Sequence, residues 1–155
     1  MRIGYGYDAH RLKAGRACIL CGVPIPCDFG PDGHSDADAP LHALMDALFG
    51  AAALGDIGRH FPDADGRFLG ADSAELLKTA YGMLRARGYT LSNADITVVL
   101  QAPKLAPYIE KMRENIAAAL ECDVGRISVK ATTEEKMGFT GDGTGVSASA
   151  VVLLE

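Results

Sequence analysis

Apolar positions recur at helical spacing between Ala39 and Leu54, where Leu41, Leu44, Met45, Leu48, Phe49 and Ala52 form one stripe. Asp38 stands where an N-cap belongs, and Pro40 falls in the first turn, where its missing N–H costs nothing. A second helix is predicted over Ser73–Arg87, led by Asp72 or Ser73 and stopped by Gly88. A third is predicted over Leu105–Leu120, with Ile109, Met112, Ile116 and Leu120 on its buried side. Strands are expected at Arg2–Tyr7, around Cys18–Ile25, at Tyr89–Leu100, at Ile127–Ala131 and at Ser147–Leu154. In the third of these, Ala94, Ile96, Val98 and Leu100 share a face. Strands and helices alternate, which predicts an α/β sandwich: one sheet with helices on a single face. Few aromatics remain to cover the other face, so a homo-oligomer is expected.

The 155 residues fit one domain, spanning 1–155, with no repeat, low-complexity tract or linker to divide it. No stretch approaches the roughly 18 apolar residues of a membrane span, and Met1–Arg11 does not resemble a signal peptide. The reading is a soluble, cytoplasmic protein with no membrane partner. A net charge of −5 without a Lys/Arg cluster argues against nucleic acid. The distribution of charge says more than the sum. Between Ala17 and Gly58 there is no Lys or Arg, and all ten acidic residues in the first 72 positions are Asp. Aspartate serves caps, turns and metal ions. Cys18 and Cys21 make a C-x-x-C, but residues three apart on one strand point to opposite faces, so buried reduced thiols are expected.

Asp8 and His10 are two apart at the end of the first strand and project from the same face, supplying half of a tetrahedral metal site. His42 lies in the first turn of the strong helix. Asp46, four residues later on the same side, is placed to accept a hydrogen bond from it and fix its orientation. Three protein ligands leave a fourth position open, as catalytic zinc requires. The run from Thr132 to Gly145 contains small residues after a strand, and Ala102-Pro103-Lys104 sets a cation before a helix. Both suit phosphate.

These residues resemble the 2-C-methyl-D-erythritol 2,4-cyclodiphosphate synthase family. The resemblance is carried by RIGYGYDAHRL (2–12), HSDADAPLHALMDALFG (34–50), GDIGRHFPDAD (55–65), QAPK (101–104) and VKATTEEKMGFTGDG (129–143), which span the chain. It implies a ferredoxin-like α+β fold, a homotrimer, and active sites between neighbouring subunits. It implies that Asp8, His10 and His42 bind Zn2+, and that Glu135 holds a second cation, Mg2+ or Mn2+, on the substrate phosphates. His34 and Thr133 match positions that stabilise the transition state, and Ser35 lies beside the phosphates. Asp56, Ile57, Gly58, Phe61, Pro62, Asp63, Ala64, Asp65 and Phe139 match substrate-binding positions. Leu100, Gln101, Ala102, Pro103, Lys104, Leu105, Ala106, Thr132 and Glu134 match those around the cytidine and its phosphates.

The implied reaction is intramolecular: the 2-phosphate of a cytidine-diphosphate-linked methylerythritol attacks its own β-phosphorus and expels CMP, a step of non-mevalonate isoprenoid precursor synthesis. Two other readings share these residues, a zinc-dependent phosphohydrolase and a non-enzymatic trimeric scaffold that binds metal or isoprenoid. Asp142 departs from the family pattern. Many members carry Arg there, near an apolar cavity on the trimer axis that is proposed to hold an isoprenoid diphosphate. An acid would repel such a ligand, so weak binding is expected. His60 is read as a peripheral loop residue.

Overall fold

In the computed structural model, which describes residues 1–62, 65–66 and 70–155, the first strand, β1, runs Arg2–Ala14 and so passes well beyond Tyr7. It is this long because it has partners on both edges. β7 (Gly145–Leu154) pairs with Arg2–Arg11, and β4 (Phe29–Pro31) takes over at Leu12–Ala14. The even-numbered residues of β1 face helix α1 (Ala39–Ala51), and two of them are glycines for a steric reason. A Cβ on Gly4 would stand 1.9 Å from the Ala47 carbonyl oxygen, and one on Gly6 would stand 2.0 Å from that of Ala43. Only glycine lets the helix backbone lie this close to the strand. Asp8 and His10 follow on that same face, directly under the helix.

The described sheet has the order β4-β1-β7-β5-β6, where β5 is Leu91–Val99 and β6 is Ile127–Thr132. β5 and β6 are parallel and the other pairs antiparallel. The apolar stripe of α1 is fully buried at Leu41, Leu44, Met45, Leu48 and Phe49, in one continuous core with Leu77 and Leu84 of α3 (Ser73–Arg85) and Met112 and Ile116 of α4 (Ile109–Ala119). Each such side chain removed from water contributes roughly 1.5–3 kcal/mol. Caps close the ends as expected: Asp38 accepts from Leu41 N–H, and Asp72 accepts from Ala74 N–H. The mixed sheet with helices on one face agrees with the α/β sandwich that the periodicity predicts.

One expected strand is two. Cys18–Leu20 (β2) and Val23–Ile25 (β3) form a hairpin that turns at Cys21 and Gly22, both with positive φ, 52° and 69°. Two left-handed residues suit a type I′ turn, whose usual Asn-Gly signature is missing here. Asp38 fixes this turn to α1, accepting the N–H of Cys21 at 2.9 Å and of Gly22 at 2.7 Å. All four cysteines are free thiols, and Cys18 and Cys21 are buried. Burial pushes the Cys18 thiol up to about 12, helped by the neighbouring Cys27. His60 does more than the loop role expected of it: it stacks on Phe49 at 4.1 Å between ring centroids and meets the Leu54 carbonyl oxygen at 3.1 Å.

The face of the sheet away from the helices is bare. Ile3 is 73% exposed, Tyr5 64%, Tyr7 50% and Val151 40%. No helix among the described residues is long and apolar enough to cross a membrane.

Candidate active site and metal centre

The strand and helix that the glycines bring together present three donor atoms to one point. Asp8 Oδ2 lies 2.8 Å from His10 Nε2 and 2.9 Å from His42 Nδ1, and the two imidazole nitrogens are 3.3 Å apart. A tetrahedral ion with bonds near 2.0–2.1 Å holds its donor atoms roughly 3.3 Å apart, so this triangle fits such an ion with little adjustment. Asp8, His10 and His42 are the one group of described His, Cys, Asp and Glu residues that converge in this way. The far nitrogens are occupied. His10 Nδ1 lies 3.1 Å from the Asp32 carbonyl oxygen, which can only accept, so Nδ1 carries the proton and Nε2 offers its lone pair. His42 Nε2 faces Ser73 Oγ at 3.0 Å and Ser35 Oγ at 3.3 Å.

Electrostatics match the geometry. Burial works against the Asp8 carboxylate, but hydrogen bonds from His10 and His42 outweigh it and hold its pKa at about 2. Burial likewise opposes a charged His10, and the Asp8 carboxylate overcomes it and raises the imidazole above its ordinary value. A divalent cation would take the place of the protons that the two imidazoles share with this carboxylate.

Above the donors is a cavity of about 350 Å³. His34, Ser35 and Gly33 line one side and Ile57, Gly58 and Phe61 the other. The second wall is carried by α2 (Ile57–His60), capped by Asp56, whose Oδ1 accepts from Arg59 N–H at 3.0 Å. Pro62 follows Phe61 and is exposed, Asp65 N–H donates to the Pro62 carbonyl at 2.9 Å, and Asp63 and Ala64 lie outside the described residues. The first wall is held from behind by Arg16, whose guanidinium donates to the carbonyls of Pro31 (3.3 Å), Gly33 (3.2 Å) and Ser35 (3.3 Å).

A second pocket of about 240 Å³ lies at the ends of β5 and β6. Leu100, Gln101, Pro103, Lys104, Leu105 and Ala106 line it, facing Thr132 and Thr133. The Ala102–Pro103 peptide is cis. Glu135 sits just beyond in a left-handed turn at φ 52°, its Oε1 accepting from Thr133 Oγ1 at 3.0 Å. The two pockets share no residue, and the register sets them apart. Ala9 pairs with Ser147, Ser147 with Val99, and Val99 with Thr132. Three strand spacings of about 4.8 Å put Thr132 roughly 14 Å from the row that bears Asp8 and His10. Phe139, on α5 (Gly138–Gly141), belongs to neither pocket and lines a shallow hollow with Ala9, Arg11 and Thr144.

Comparison with known proteins agrees with the site. The family model described as the YgbB family matches residues 1–155. The 2-C-methyl-D-erythritol 2,4-cyclodiphosphate synthase of Trichlorobacter lovleyi is 58% identical over 154 residues, covering 99% of this chain and 98% of its own. That of Moorella thermoacetica is 61% identical, covering 99% and 94%. The chain belongs to the YgbB family of 2-C-methyl-D-erythritol 2,4-cyclodiphosphate synthases. A solved synthase of this name in its CDP-bound form superposes with a TM-score of 0.91 at 42% identity, covering 99% of this chain and 100% of that one.

Within this synthase frame most of the described expected residues line one of the two pockets; Phe139 lines neither, and Asp46, Glu134 and Ala102 also fall outside them. Asp46 does not hold His42: its Oδ1 accepts the Ile57 N–H at 2.7 Å, so it anchors α2, and both nitrogens of His42 are taken by other groups. Glu134, though exposed, turns one carboxylate oxygen to the buried hydroxyl of Thr140 and accepts from it. Ala102 is absent from the pocket wall that its neighbours make. Ser73 and Arg16 escaped the sequence reading. Ser73 is 31 residues from His42 and looks like an ordinary helix start; Arg16 had one signal, as the last cation before the base-free stretch.

Proposed function

We infer that the chain converts 4-diphosphocytidyl-2-C-methyl-D-erythritol 2-phosphate into 2-C-methyl-D-erythritol 2,4-cyclodiphosphate and CMP, in non-mevalonate isoprenoid precursor biosynthesis. The observation that carries this is the Asp8–His10–His42 triangle at the floor of a cavity, in a chain 58% identical to a named synthase along nearly its whole length. An oxygen of the 2-phosphate bonds to the β-phosphorus as the bond from that phosphorus to the bridging oxygen breaks, and CMP leaves with that oxygen. The class is thus a phosphorus–oxygen lyase. Zn2+ held by Asp8, His10 and His42 would polarise the β-phosphate and offset its charge. A lone carboxylate such as Glu135 suits Mg2+ or Mn2+, which keep waters and phosphate oxygens as their other ligands.

The protein's own part is to fold one flexible substrate into line, since nucleophile and electrophile belong to the same molecule. His34 and Ser35, which line the cavity, would donate to phosphate oxygens. Asp56, Ile57, Gly58 and Phe61 would hold the methylerythritol, the carboxylate accepting from its hydroxyls. Leu100–Ala106 with Thr132 would hold the cytidine, and Thr133 with Glu135 its phosphates. Thr132 of the nucleotide pocket stands roughly 14 Å across the sheet from the row that bears Asp8 and His10, which favours a site that takes its metal triangle from one copy and its Glu135 from a neighbouring one. The bare face of Ile3, Tyr5, Tyr7 and Val151 supports the oligomer that this sharing requires, in our reading the homotrimer of the family. One continuous core supports a single domain over 1–155, and four free thiols suit a cytoplasmic location.

Incubation with the cytidine-linked substrate, zinc and magnesium should yield CMP and a cyclic diphosphate by phosphorus NMR, and His42→Ala should abolish both. Release of inorganic phosphate instead would mark a phosphohydrolase. Full activity of the chelated protein would mark a non-enzymatic scaffold.

A further inference from the structure

Ser73 and Asp36 stand behind His42 in a fixed order. Ser73 is the first residue of α3 and is fully buried, with its hydroxyl 3.0 Å from His42 Nε2. Asp36 grips the same serine twice, its Oδ2 accepting the Ser73 N–H at 2.9 Å and its Oδ1 accepting the Ser73 hydroxyl at 2.5 Å. A carboxylate has no proton to give, so the serine hydroxyl must point its hydrogen at Asp36. What remains toward His42 is an oxygen lone pair, and that accepts from a protonated Nε2. The neutral imidazole then has its lone pair on Nδ1, the atom that lies 2.9 Å from Asp8 and 3.3 Å from His10 Nε2.

We propose that Asp36 and Ser73 are positioning residues that lock His42 as the Nε2–H tautomer and aim Nδ1 at the metal. This rests on the metal reading of Asp8, His10 and His42 given above. The chain Asp36–Ser73–His42 does for His42 what the Asp32 carbonyl does for His10, and the two imidazoles therefore offer opposite nitrogens, Nδ1 and Nε2, to one ion. The arrangement also couples α3 to the metal centre: the helix start that carries Ser73 is fixed to the 32–38 loop through Asp36 and to α1 through His42. Ser35 Oγ is farther from Nε2 at 3.3 Å, already accepts the Ala37 N–H at 3.1 Å, and is oriented by no carboxylate among the described residues, so it is the weaker partner.

The test measures zinc affinity by competition with a chromogenic chelator in wild type, His42→Ala, Ser73→Ala, Ser73→Thr and Asp36→Asn. Removing a partner that orients a metal-bound histidine weakens binding about 10–100-fold, and that loss is expected for Ser73→Ala, with Ser73→Thr near wild type and Asp36→Asn about tenfold down. Nitrogen NMR of the zinc-loaded wild type should show the His42 ring proton on Nε2, protected from exchange; this spectrum needs no variant to fold. Ser73→Ala affinity within twofold of wild type, or a His42 proton on Nδ1, would overturn the proposal. If His42→Ala itself binds zinc as tightly as wild type, the metal reading fails first, so the two failures are distinguishable.

Discussion

A Cβ at Gly6 would come within 2.0 Å of the Ala43 carbonyl oxygen, a backbone atom that no rotamer change can move. Gly6→Ala therefore has to lift α1 off β1, and the ligand geometry shifts with it, because His42 is on the helix and Asp8 and His10 are on the strand. Overpacking of this kind costs about 1–3 kcal/mol, so denaturant unfolding should show that loss, and zinc titration should show weaker binding. Asp38 supplies a second prediction at this scale. Burial pushes its carboxyl up to about 7, against the N–H donors of Gly22, Cys21 and Leu41 that favour the anion. Its pKa is thus higher in the folded than in the unfolded chain, and the stabilising contribution is complete below about pH 4. It is lost as pH rises toward 7, at up to about 1.4 kcal/mol per pH unit. Asp38→Asn leaves the Gly22 N–H without its acceptor, so it should be less stable throughout. Its unfolding free energy should also fall less steeply than that of wild type between pH 4 and 7.

Arg16 ties down the loop between β4 and α1 by binding three of the carbonyls within and just before it. Arg16→Ala should leave zinc content largely unchanged, because Arg16 bonds to none of the three ligands and Ser73 still holds His42, while kcat/KM falls about tenfold as His34 and Ser35 lose their fixed places. Arg16→Lys should rescue little, since one ammonium cannot span carbonyls that a guanidinium fork reaches together. Unaltered steady-state kinetics would show that the loop is ordered without Arg16. At this scale the sequence was legible wherever periodicity governs. The stripe of α1, the same-face pair Asp8 and His10, and the caps Asp38 and Asp72 are local patterns, and each has its structural counterpart. What escaped depends on contacts across the chain. The Cys21-Gly22 turn lacks the usual residues, and its positive φ values are held by Asp38, 16 and 17 residues away. The hydrogen bond from His42 could not be assigned by helical spacing, which favours Asp46, because the true acceptor enters from another helix.

At the scale of the molecule, the outer face of the sheet and the distance between the two pockets point the same way. Asp142 is exposed, and the Thr144 hydroxyl and N–H hold its carboxylate below the usual range, so it is charged at neutral pH. A diphosphate brought beside it in an assembled oligomer meets like charge, and calorimetry with geranyl or farnesyl diphosphate should register no tight binding. Tight binding that is lost on Phe139→Ala would show that the apolar wall outweighs the acid. The sharing of sites can be tested without any structure of the assembly. His42→Ala removes a ligand from the metal triangle, Glu135→Ala removes the second-cation carboxylate, and each variant alone should be inactive. Mixed, unfolded and refolded together in equal amounts, they should regain activity if a site takes its triangle from one copy and its Glu135 from the next. Such a site works only when a Glu135→Ala copy supplies the triangle and a His42→Ala copy supplies the carboxylate. With random assembly that happens at about a quarter of sites in a cyclic oligomer. If both groups came from the same copy, every site would carry one of the two lesions and no mixture could recover activity. Recovery to about a quarter of the wild-type rate therefore supports shared sites, and none at all would place the whole reaction within a single chain.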